Sequence, residues 1–210
     1  MNDRGYCIVS SFIGKREKQE IKKYIEKSEK WQGDLFEMDN IFGKILNNDN
    51  LKQILQSCIG ESHLATYCIH NLGPVENEDR CVSDWHVDYP IHDMKEPYPD
   101  KCQAIEGILA LDTFTLENGA THIAPGSHIS QAWPRNVEKS DFNTTRVLLK
   151  AGDLLLFDSR LWHKAGENNT SRFRSALVFN FANMDTEPKD DISISRGCGF
   201  KKINNRITFN

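Results

Sequence analysis

The second part of this chain is a series of short β-type segments, and this pattern limits the possible fold more than any other feature. From about residue 64 onward, runs of β-branched, aromatic and aliphatic residues alternate with turns rich in Gly, Pro and Asn. Many short strands separated by such turns are typical of a β-sandwich or jelly roll. We therefore predict a mainly β fold, with strands near residues 64–71, 82–88, 104–112, 119–123, 145–150, 153–158 and 174–182.

Helical spacing is confined to the first third of the chain. Residues 51–59 carry apolar side chains at i, i+3 and i+4 intervals, Asn48 or Asp49 can cap this helix, and Gly60 can end it. A charged stretch over residues 15–28 has a second apolar stripe. One stripe on each helix predicts that the helices pack on one sheet.

The length of 210 residues suits one buried core. We expect a single domain over residues 1–210. It would comprise a helical N-terminal part (1–62), a jelly-roll core (63–183) and a C-terminal extension (184–210).

Charge and composition argue against several classes of protein. The net charge is -4, without a cluster of Lys and Arg interleaved with aromatic residues, so nucleic-acid binding is not expected. No apolar run is long enough to span a membrane, and the N-terminus lacks a signal-peptide pattern. The six cysteines are scattered without a C-x-x-C pair, which favours free thiols in a reducing compartment. We expect a cytoplasmic protein, either a monomer or a homodimer.

His86 and Asp88 form the most informative motif for chemistry. Side chains two residues apart on a strand point to the same face, so this imidazole and this carboxylate can reach one metal ion. A second histidine would complete the 2-His-1-carboxylate set that holds non-haem Fe(II) and leaves coordination positions open. His163 follows an apolar strand and is the leading candidate. A half-buried histidine with a backbone partner is the alternative for His163, and the other ligand candidates are His63, His70, His92, His122 and His128.

Arg174 enters the last apolar strand, where a guanidinium is costly to desolvate unless it meets an anion. A carboxylate is a suitable partner because a guanidinium can donate two parallel hydrogen bonds to it. The carboxylate partner of Arg174 could belong to a dicarboxylic cosubstrate, or to Asp153 or Asp158 in an internal salt bridge. Arg172 lies in the preceding turn, where we expect it to be solvated.

The ordered set of motifs resembles the phytanoyl-CoA dioxygenase-like family of Fe(II)/2-oxoglutarate-dependent oxygenases. The resemblance rests on His86-Val87-Asp88 and on His163 followed by Arg174 eleven residues later. It also extends to segments 5–9, 110–112, 117–121, 125–128 and 152–153, and thus covers nearly the whole chain.

This resemblance implies a cupin-like double-stranded β-helix in which His86, Asp88 and His163 hold Fe(II). Arg174 would pair with the distal carboxylate of 2-oxoglutarate. Some relatives contact this cosubstrate at the positions of Asn71 and Thr121. The implied reaction uses O2 and hydroxylates an unactivated C–H bond of a small metabolite, releasing succinate and CO2. Halogenases of this type have a small residue in place of the carboxylate ligand, so Asp88 favours hydroxylation over halogenation.

Two further residues are candidates for substrate contact. His92 lies in the loop 89–101, directly after the predicted ligand pair, and some relatives place a pocket aromatic there. An exposed loop histidine is the alternative interpretation. Asn180 has the same strand parity as Arg174, so it can point into the barrel, where a substrate group or a water would satisfy it.

Two other classes of function remain open at this stage. A cupin-like metalloenzyme of another reaction type would keep the metal ligands without needing Arg174. A non-catalytic sensor could bind the metal and 2-oxoglutarate without turnover. Release of succinate or CO2 from 2-oxoglutarate separates these classes from an oxygenase.

Overall fold

Antiparallel strands dominate the computed structural model, which describes residues 3–25, 31–75, 84–135, 137, 140–187 and 200–209. The strands are β1 (Tyr6–Val9), β2 (Trp31–Gln32), β3 (Ser62–Leu72), β4 (Ala104–Ala110), β5 (Thr121–Ile123), β6 (Thr145–Val147), β7 (Leu154–Asp158), β8 (His163–Lys164), β9 (Arg174–Asn183), β10 (Phe200–Ile203) and β11 (Arg206–Phe209). The large sheet has the order β1-β7-β4-β9-β3-β11-β10, with β2 also paired to β3. The small sheet has the order β6-β5-β8.

The helices lie in the first third of the chain, as predicted. They are α1 (Lys15–Ile21), α2 (Leu35–Met38), α3 (Asn40–Leu46) and α4 (Asp49–Ile59). Helix α4 begins after Asn48, whose side chain accepts hydrogen bonds from two backbone amides of the first turn, and it ends at Gly60, which has a positive φ. Helix α1 is shorter than its apolar stripe predicts, and the end of that stripe at Ser28 lies outside the described residues. None of the described helices is both long and apolar enough to cross a membrane.

The helices cover one face of the large sheet. Leu51 and Leu55 of α4 are buried in the same cluster as Ile69 of β3 and Phe179 of β9. Because successive side chains of a strand alternate between faces, these strands present their neighbouring residues to the opposite side. The prediction that the N-terminal helices pack on one sheet is confirmed.

The other face of the large sheet meets the small sheet. Ile123 of β5 and Val147 of β6 pack in one buried cluster with Leu155 of β7 and Ala176 of β9. Two antiparallel sheets around one apolar core form the predicted jelly roll. This face carries the side chains that line the functional cavity described below.

Some predicted segments differ from the structure. Residues 84–88 form no regular strand and pair only through one bridge between His86 and His163, while residues 82 and 83 lie outside the described part. Alternating residues predict a strand here, but the only β-pairing of this segment is the single bridge at His86, so no ladder forms. The loop 89–101 contains a 3-10 helix, Ile91–Asp93. It buries Ile91 and Tyr98 in an apolar cluster, so it is packed more closely against the protein than its polar composition predicts. The part of the C-terminal extension described over residues 200–209 adds the hairpin β10–β11 to the large sheet.

Gly107 of β4 provides a test of this packing. It faces Phe179 across the β4–β9 ladder, and an added Cβ would overlap the Phe179 ring. We expect Gly107→Ala to lower the free energy of unfolding by about 1–3 kcal/mol, because overpacking displaces side chains in a dense core. Urea denaturation measures the change. Gly33→Ala is the matched control, since nothing lies within 4 Å of its added Cβ, and an equal loss in both variants would contradict the predicted overlap.

Candidate metal centre

A cavity of about 160 Å³ lies between the two sheets. The large sheet contributes side chains from β3, β4, β7 and β9, and the small sheet contributes side chains from β5 and β8. His86 and Asp88 close the cavity from the segment that precedes the loop 89–101. The predicted metal ligands therefore face the interior of the jelly roll.

His86, Asp88 and His163 converge in this cavity. The Nε2 atom of His163 lies 3.2 Å from Oδ2 of Asp88, and Nε2 of His86 lies 3.7 Å from Oδ1. One ligand atom from each residue lies within 4.8 Å of the other two. In the described part of the chain, this is the only cluster of His, Cys, Asp or Glu side chains that could share one metal ion.

Backbone hydrogen bonds hold this group together although its first segment is not a strand. The His86 amide donates to the His163 carbonyl at 3.0 Å, and the His163 amide donates to the His86 carbonyl at 3.1 Å. The Asp88 amide donates to the Ser159 carbonyl at 2.8 Å. All three predicted ligand residues are thus anchored through their own backbone atoms.

The second nitrogen of each imidazole determines which atom is available to a metal. Nδ1 of His86 lies 2.8 Å from the Asp84 carbonyl, and Nδ1 of His163 lies 2.9 Å from the Leu161 carbonyl. A carbonyl oxygen only accepts, so each Nδ1 carries the hydrogen and each neutral ring has its lone pair on Nε2. Metal-bound histidines are oriented by this kind of contact.

The arrangement of donor atoms fits a divalent cation. Oδ2 of Asp88 is buried and makes no hydrogen bond, although Nε2 of His163 is close to it. With both Nδ1 atoms protonated, the Nε2 atoms of the two neutral imidazoles and the Asp88 carboxylate can each donate a lone pair to one ion. Two histidines and one carboxylate on one side of an ion are the ligand set of non-haem Fe(II) oxygenases.

The electrostatics of the cluster favour a charged carboxylate. Burial disfavours the charged form of Asp88, but the adjacent His163 and His86 outweigh burial and lower the pKa of Asp88. Burial also disfavours the imidazolium form of His163, yet the Asp88 carboxylate raises the pKa of His163. Burial lowers the pKa of His86, and the neighbouring His163 lowers it further. The carboxylate therefore stays ionised and attracts a cation.

Arg174 and Thr121 line the same cavity as the three predicted ligands. The guanidinium of Arg174 lies 3.9 Å above the centre of the Phe114 ring, and only 3% of the residue is exposed. Such stacking orients the plane of a guanidinium. Arg172 is exposed, as the sequence predicts.

The two aspartates considered as internal partners of Arg174 are engaged elsewhere. Asp158 forms a buried ion pair with Arg160, with 2.6 Å between Oδ2 and Nη2. Asp153 accepts hydrogen bonds from the backbone amides of Ser11 and Lys150, each at 2.8 Å.

Three other predicted site residues do not line the cavity. Asn71 follows the cavity-lining His70 in β3 and so faces the other side of the sheet, where its Oδ1 accepts a hydrogen bond from Ser175. His92 is half-buried, and its Nε2 lies 3.1 Å from Oδ1 of Asp93. Asn180 is buried and donates to Glu106, a residue of the cavity wall.

Trp31 and Glu106 line the cavity but were not predicted from the sequence, and His70 was considered only as a candidate metal ligand. Trp31 of β2 stacks on His70 of β3, with 4.1 Å between ring centres, and both line the cavity. Glu106 of β4 is buried and lines it from the large sheet. A single acidic residue within the apolar run 104–110 is a signal that could have identified Glu106, whereas nothing in the sequence pairs Trp31 with His70.

Comparison with known proteins agrees with this geometry. Residues 11–176 match the profile of the phytanoyl-CoA dioxygenase (PhyH) family. The chain belongs to this family. A dioxygenase from Alternaria alternata is 30% identical over 191 residues, which is 84% of this chain and 62% of that protein. A dioxygenase from Emericella variicolor is 32% identical over 114 residues, or 54% of this chain and 38% of that protein. This family member thus spans less than two thirds of either relative.

Solved structures share the fold of this family member at low sequence identity. HygX from Streptomyces hygroscopicus, solved with nickel and 2-oxoglutarate, is 16% identical with a TM-score of 0.69, covering 93% of this chain and 88% of that one. The α-ketoglutarate-dependent epimerase SnoN from nogalamycin biosynthesis is 17% identical with a TM-score of 0.65, covering 86% of this chain and 79% of that one. These similarities support the jelly-roll assignment.

Proposed function

We propose that this protein is an Fe(II)/2-oxoglutarate-dependent dioxygenase that hydroxylates an unactivated C–H bond of a small metabolite. The observation that carries the proposal is the convergence of His86, Asp88 and His163 in a cavity that also contains the buried Arg174. Membership of a dioxygenase family and relatives named as dioxygenases support it.

Each of these residues has a defined part in the proposed reaction. The Nε2 atoms of the two histidines and the Asp88 carboxylate would hold Fe(II), while the Asp84 and Leu161 carbonyls keep the imidazole rings oriented. Arg174 would bind the distal carboxylate of 2-oxoglutarate through its planar donors. Fe(II) with 2-oxoglutarate supplies the O2-dependent oxidation, with succinate and CO2 as coproducts.

The apolar wall of the cavity favours a reaction that excludes water. Ile108, Phe157 and Val178 line it beside the polar groups. Such a wall limits access of solvent to reactive species and orients one face of a substrate. Asp88 supports hydroxylation over halogenation, because its carboxylate would serve as a ligand to Fe(II) where related halogenases have a small residue and would leave room for chloride.

We also propose that the protein works as one domain in the cytoplasm. Among the described residues, Cys7, Cys58, Cys68 and Cys102 form no disulfide, which suits a reducing compartment that also keeps iron ferrous. Cys81 and Cys198 lie outside the described residues.

Cosubstrate turnover tests the proposed function. Purified protein loaded anaerobically with Fe(II) should release succinate slowly from 2-oxoglutarate in the presence of O2, and faster when a pool of small metabolites contains the substrate. Mass spectrometry should show a product that has gained one oxygen atom. A stereoisomer of unchanged mass would indicate epimerisation instead. Binding of Fe(II) and 2-oxoglutarate without any succinate would indicate a sensor and contradict the proposal.

A further inference from the structure

Trp31 is the most exposed residue of the described cavity wall. It is 50% exposed, whereas the other described residues that line the cavity are buried or only partly exposed. Trp31 belongs to β2, which among the described strands pairs with β3 alone and so forms a short edge of the large sheet. A lining residue that stays exposed lies where a cavity meets solvent. Trp31 therefore lies at the mouth of the cavity.

The indole of Trp31 has a defined orientation. It stacks on the imidazole of His70, with 4.1 Å between ring centres and 14° between the ring planes. His70 is buried in β3 and is the direct partner of Trp31 in the ladder. Because His70 covers one face of the indole, the exposed area of Trp31 belongs to the opposite face and the ring edges. A flat aromatic face is thus held at the cavity mouth.

Strand register locates this face relative to the proposed cosubstrate site. Trp31, His70 and Ala176 are direct neighbours across β2, β3 and β9. Adjacent strands are about 4.8 Å apart, so the backbone of Trp31 lies roughly 10 Å from that of Ala176. Arg174, the proposed anchor of 2-oxoglutarate, lies two residues from Ala176 on β9. Trp31 is therefore displaced from the cosubstrate anchor toward the open edge of the sheet.

The size of the cavity favours a substrate that reaches this edge. The volume of about 160 Å³ is below the roughly 300–1,000 Å³ that is typical of small-molecule sites. Bound 2-oxoglutarate would occupy much of this volume. A substrate that brings one C–H bond close to the metal would then extend through the mouth, where the indole is the exposed contact surface.

We propose that Trp31 is a specificity-determining residue that stacks against a planar ring of the substrate. This inference rests on the proposed function, in which the metal and 2-oxoglutarate occupy the interior of the cavity. Aromatic rings favour offset stacking on one another, and such a pair adds affinity beyond the area that it buries. Ile108, Ala176 and Val178 in the cavity wall suit the carbon skeleton of such a molecule. The substrate class is a small molecule with an aromatic ring.

Matched planar and saturated probes test this inference. Phenol, benzyl alcohol and phenethyl alcohol are compared with cyclohexanol, cyclohexylmethanol and cyclohexylethanol, which keep the hydroxyl group and the ring size but lose planarity. Binding is measured by calorimetry without O2, on the protein as purified and again after addition of Fe(II) and 2-oxoglutarate. At least one planar alcohol should bind more tightly than its saturated partner. Trp31→Leu should reduce this preference by roughly twofold to tenfold, the contribution of one aromatic pair.

Two further variants separate ring recognition from general damage. Trp31→Phe keeps an aromatic ring and should retain more of the preference than Trp31→Leu does. Trp133→Leu removes a partly buried tryptophan that does not line the cavity, and it should keep the preference of the unaltered protein. The ratio of planar to saturated affinity is the readout, because a loss of stability alone does not change it.

Nuclear magnetic resonance gives a second measurement, which does not depend on the leucine variant being folded. Overhauser effects should connect the ring protons of a bound planar alcohol with one indole of the unaltered protein. These signals should be absent in Trp31→Phe and present in Trp133→Leu. Signals that persist in Trp31→Phe would place the ring elsewhere and overturn the inference.

The outcomes distinguish this inference from the proposed function. No preference for any planar alcohol in the unaltered protein would overturn the inference, as would an unchanged preference in Trp31→Leu or an equal loss in Trp31→Phe. If succinate is released without such a preference, the inference alone is overturned. If planar rings bind through Trp31 but no succinate is ever formed, ring recognition stands and the oxygenase function fails.

Discussion

Replacing His163 with alanine is expected to abolish Fe(II)-dependent turnover of 2-oxoglutarate. In the proposed site His163 supplies one of three ligand atoms, and the remaining His86 and Asp88 would leave the ion with too few protein donors to stay bound. We expect less than about a hundredth of the original turnover, in line with the loss of affinity on disturbing a metal site. Metal analysis after desalting should show a matching loss of bound iron.

His122→Ala is the matched control for this variant. His122 lies on β5, where it pairs with Lys164, the residue after His163, but it is not part of the cavity wall. It should retain iron and turnover. Circular dichroism and thermal unfolding establish that both variants are folded. A folded His163→Ala protein with full turnover would exclude His163 as a ligand.

Replacing Arg174 with lysine is expected to raise the KM for 2-oxoglutarate strongly. An ammonium group cannot reproduce the two parallel hydrogen bonds of a guanidinium, and it would also lose the stacking on Phe114. One lost charge-assisted hydrogen bond is worth about 1.5–3 kcal/mol, so we expect an increase in KM of roughly tenfold to a hundredfold. Initial rates of succinate release over a range of 2-oxoglutarate concentrations measure it.

Arg172→Lys provides the comparison within the same segment. Arg172 is exposed in the turn before β9, so its substitution should change KM by less than about twofold. A larger effect at Arg172 than at Arg174 would mean that the cosubstrate docks elsewhere. The structural register, in which Leu72 of β3 pairs with Arg174, would then not describe the active form.

Strand periodicity predicted the parts of the fold that pair over long ladders. The runs near 64–71, 104–112, 153–158 and 174–182 correspond to β3, β4, β7 and β9, which lie together in the large sheet. In these strands successive side chains point to opposite faces because the backbone is pleated, and each face packs against a different layer. This alternation correctly placed Asn180 on the same side of β9 as Arg174, and it also places Asn71 on the opposite side of β3 from the cavity.

Features that depend on distant contacts could not be predicted in this way. Strand β2 has only two residues, Trp31 and Gln32, and forms because it pairs with β3. Two residues carry no local pattern from which a strand could be predicted. The segment 84–88 contains alternating residues but has a single bridge to hold it. The loop 89–101 has a polar composition, yet Ile91 and Tyr98 pack into an apolar cluster that includes Trp162. In each case the partner, rather than the local sequence, decides the conformation.

The reciprocal backbone hydrogen bonds between His86 and His163 bear on how the protein would acquire its metal. The two histidines are far apart in the chain, and an ion that joined them in an unfolded polypeptide would have to close that loop against chain entropy. In the folded protein the backbone bridge has closed the loop already. We therefore expect the donor atoms to act as a preformed chelate, so that metal loading follows folding instead of driving it. Small zinc domains, which unfold when their ion is removed, are the opposite case.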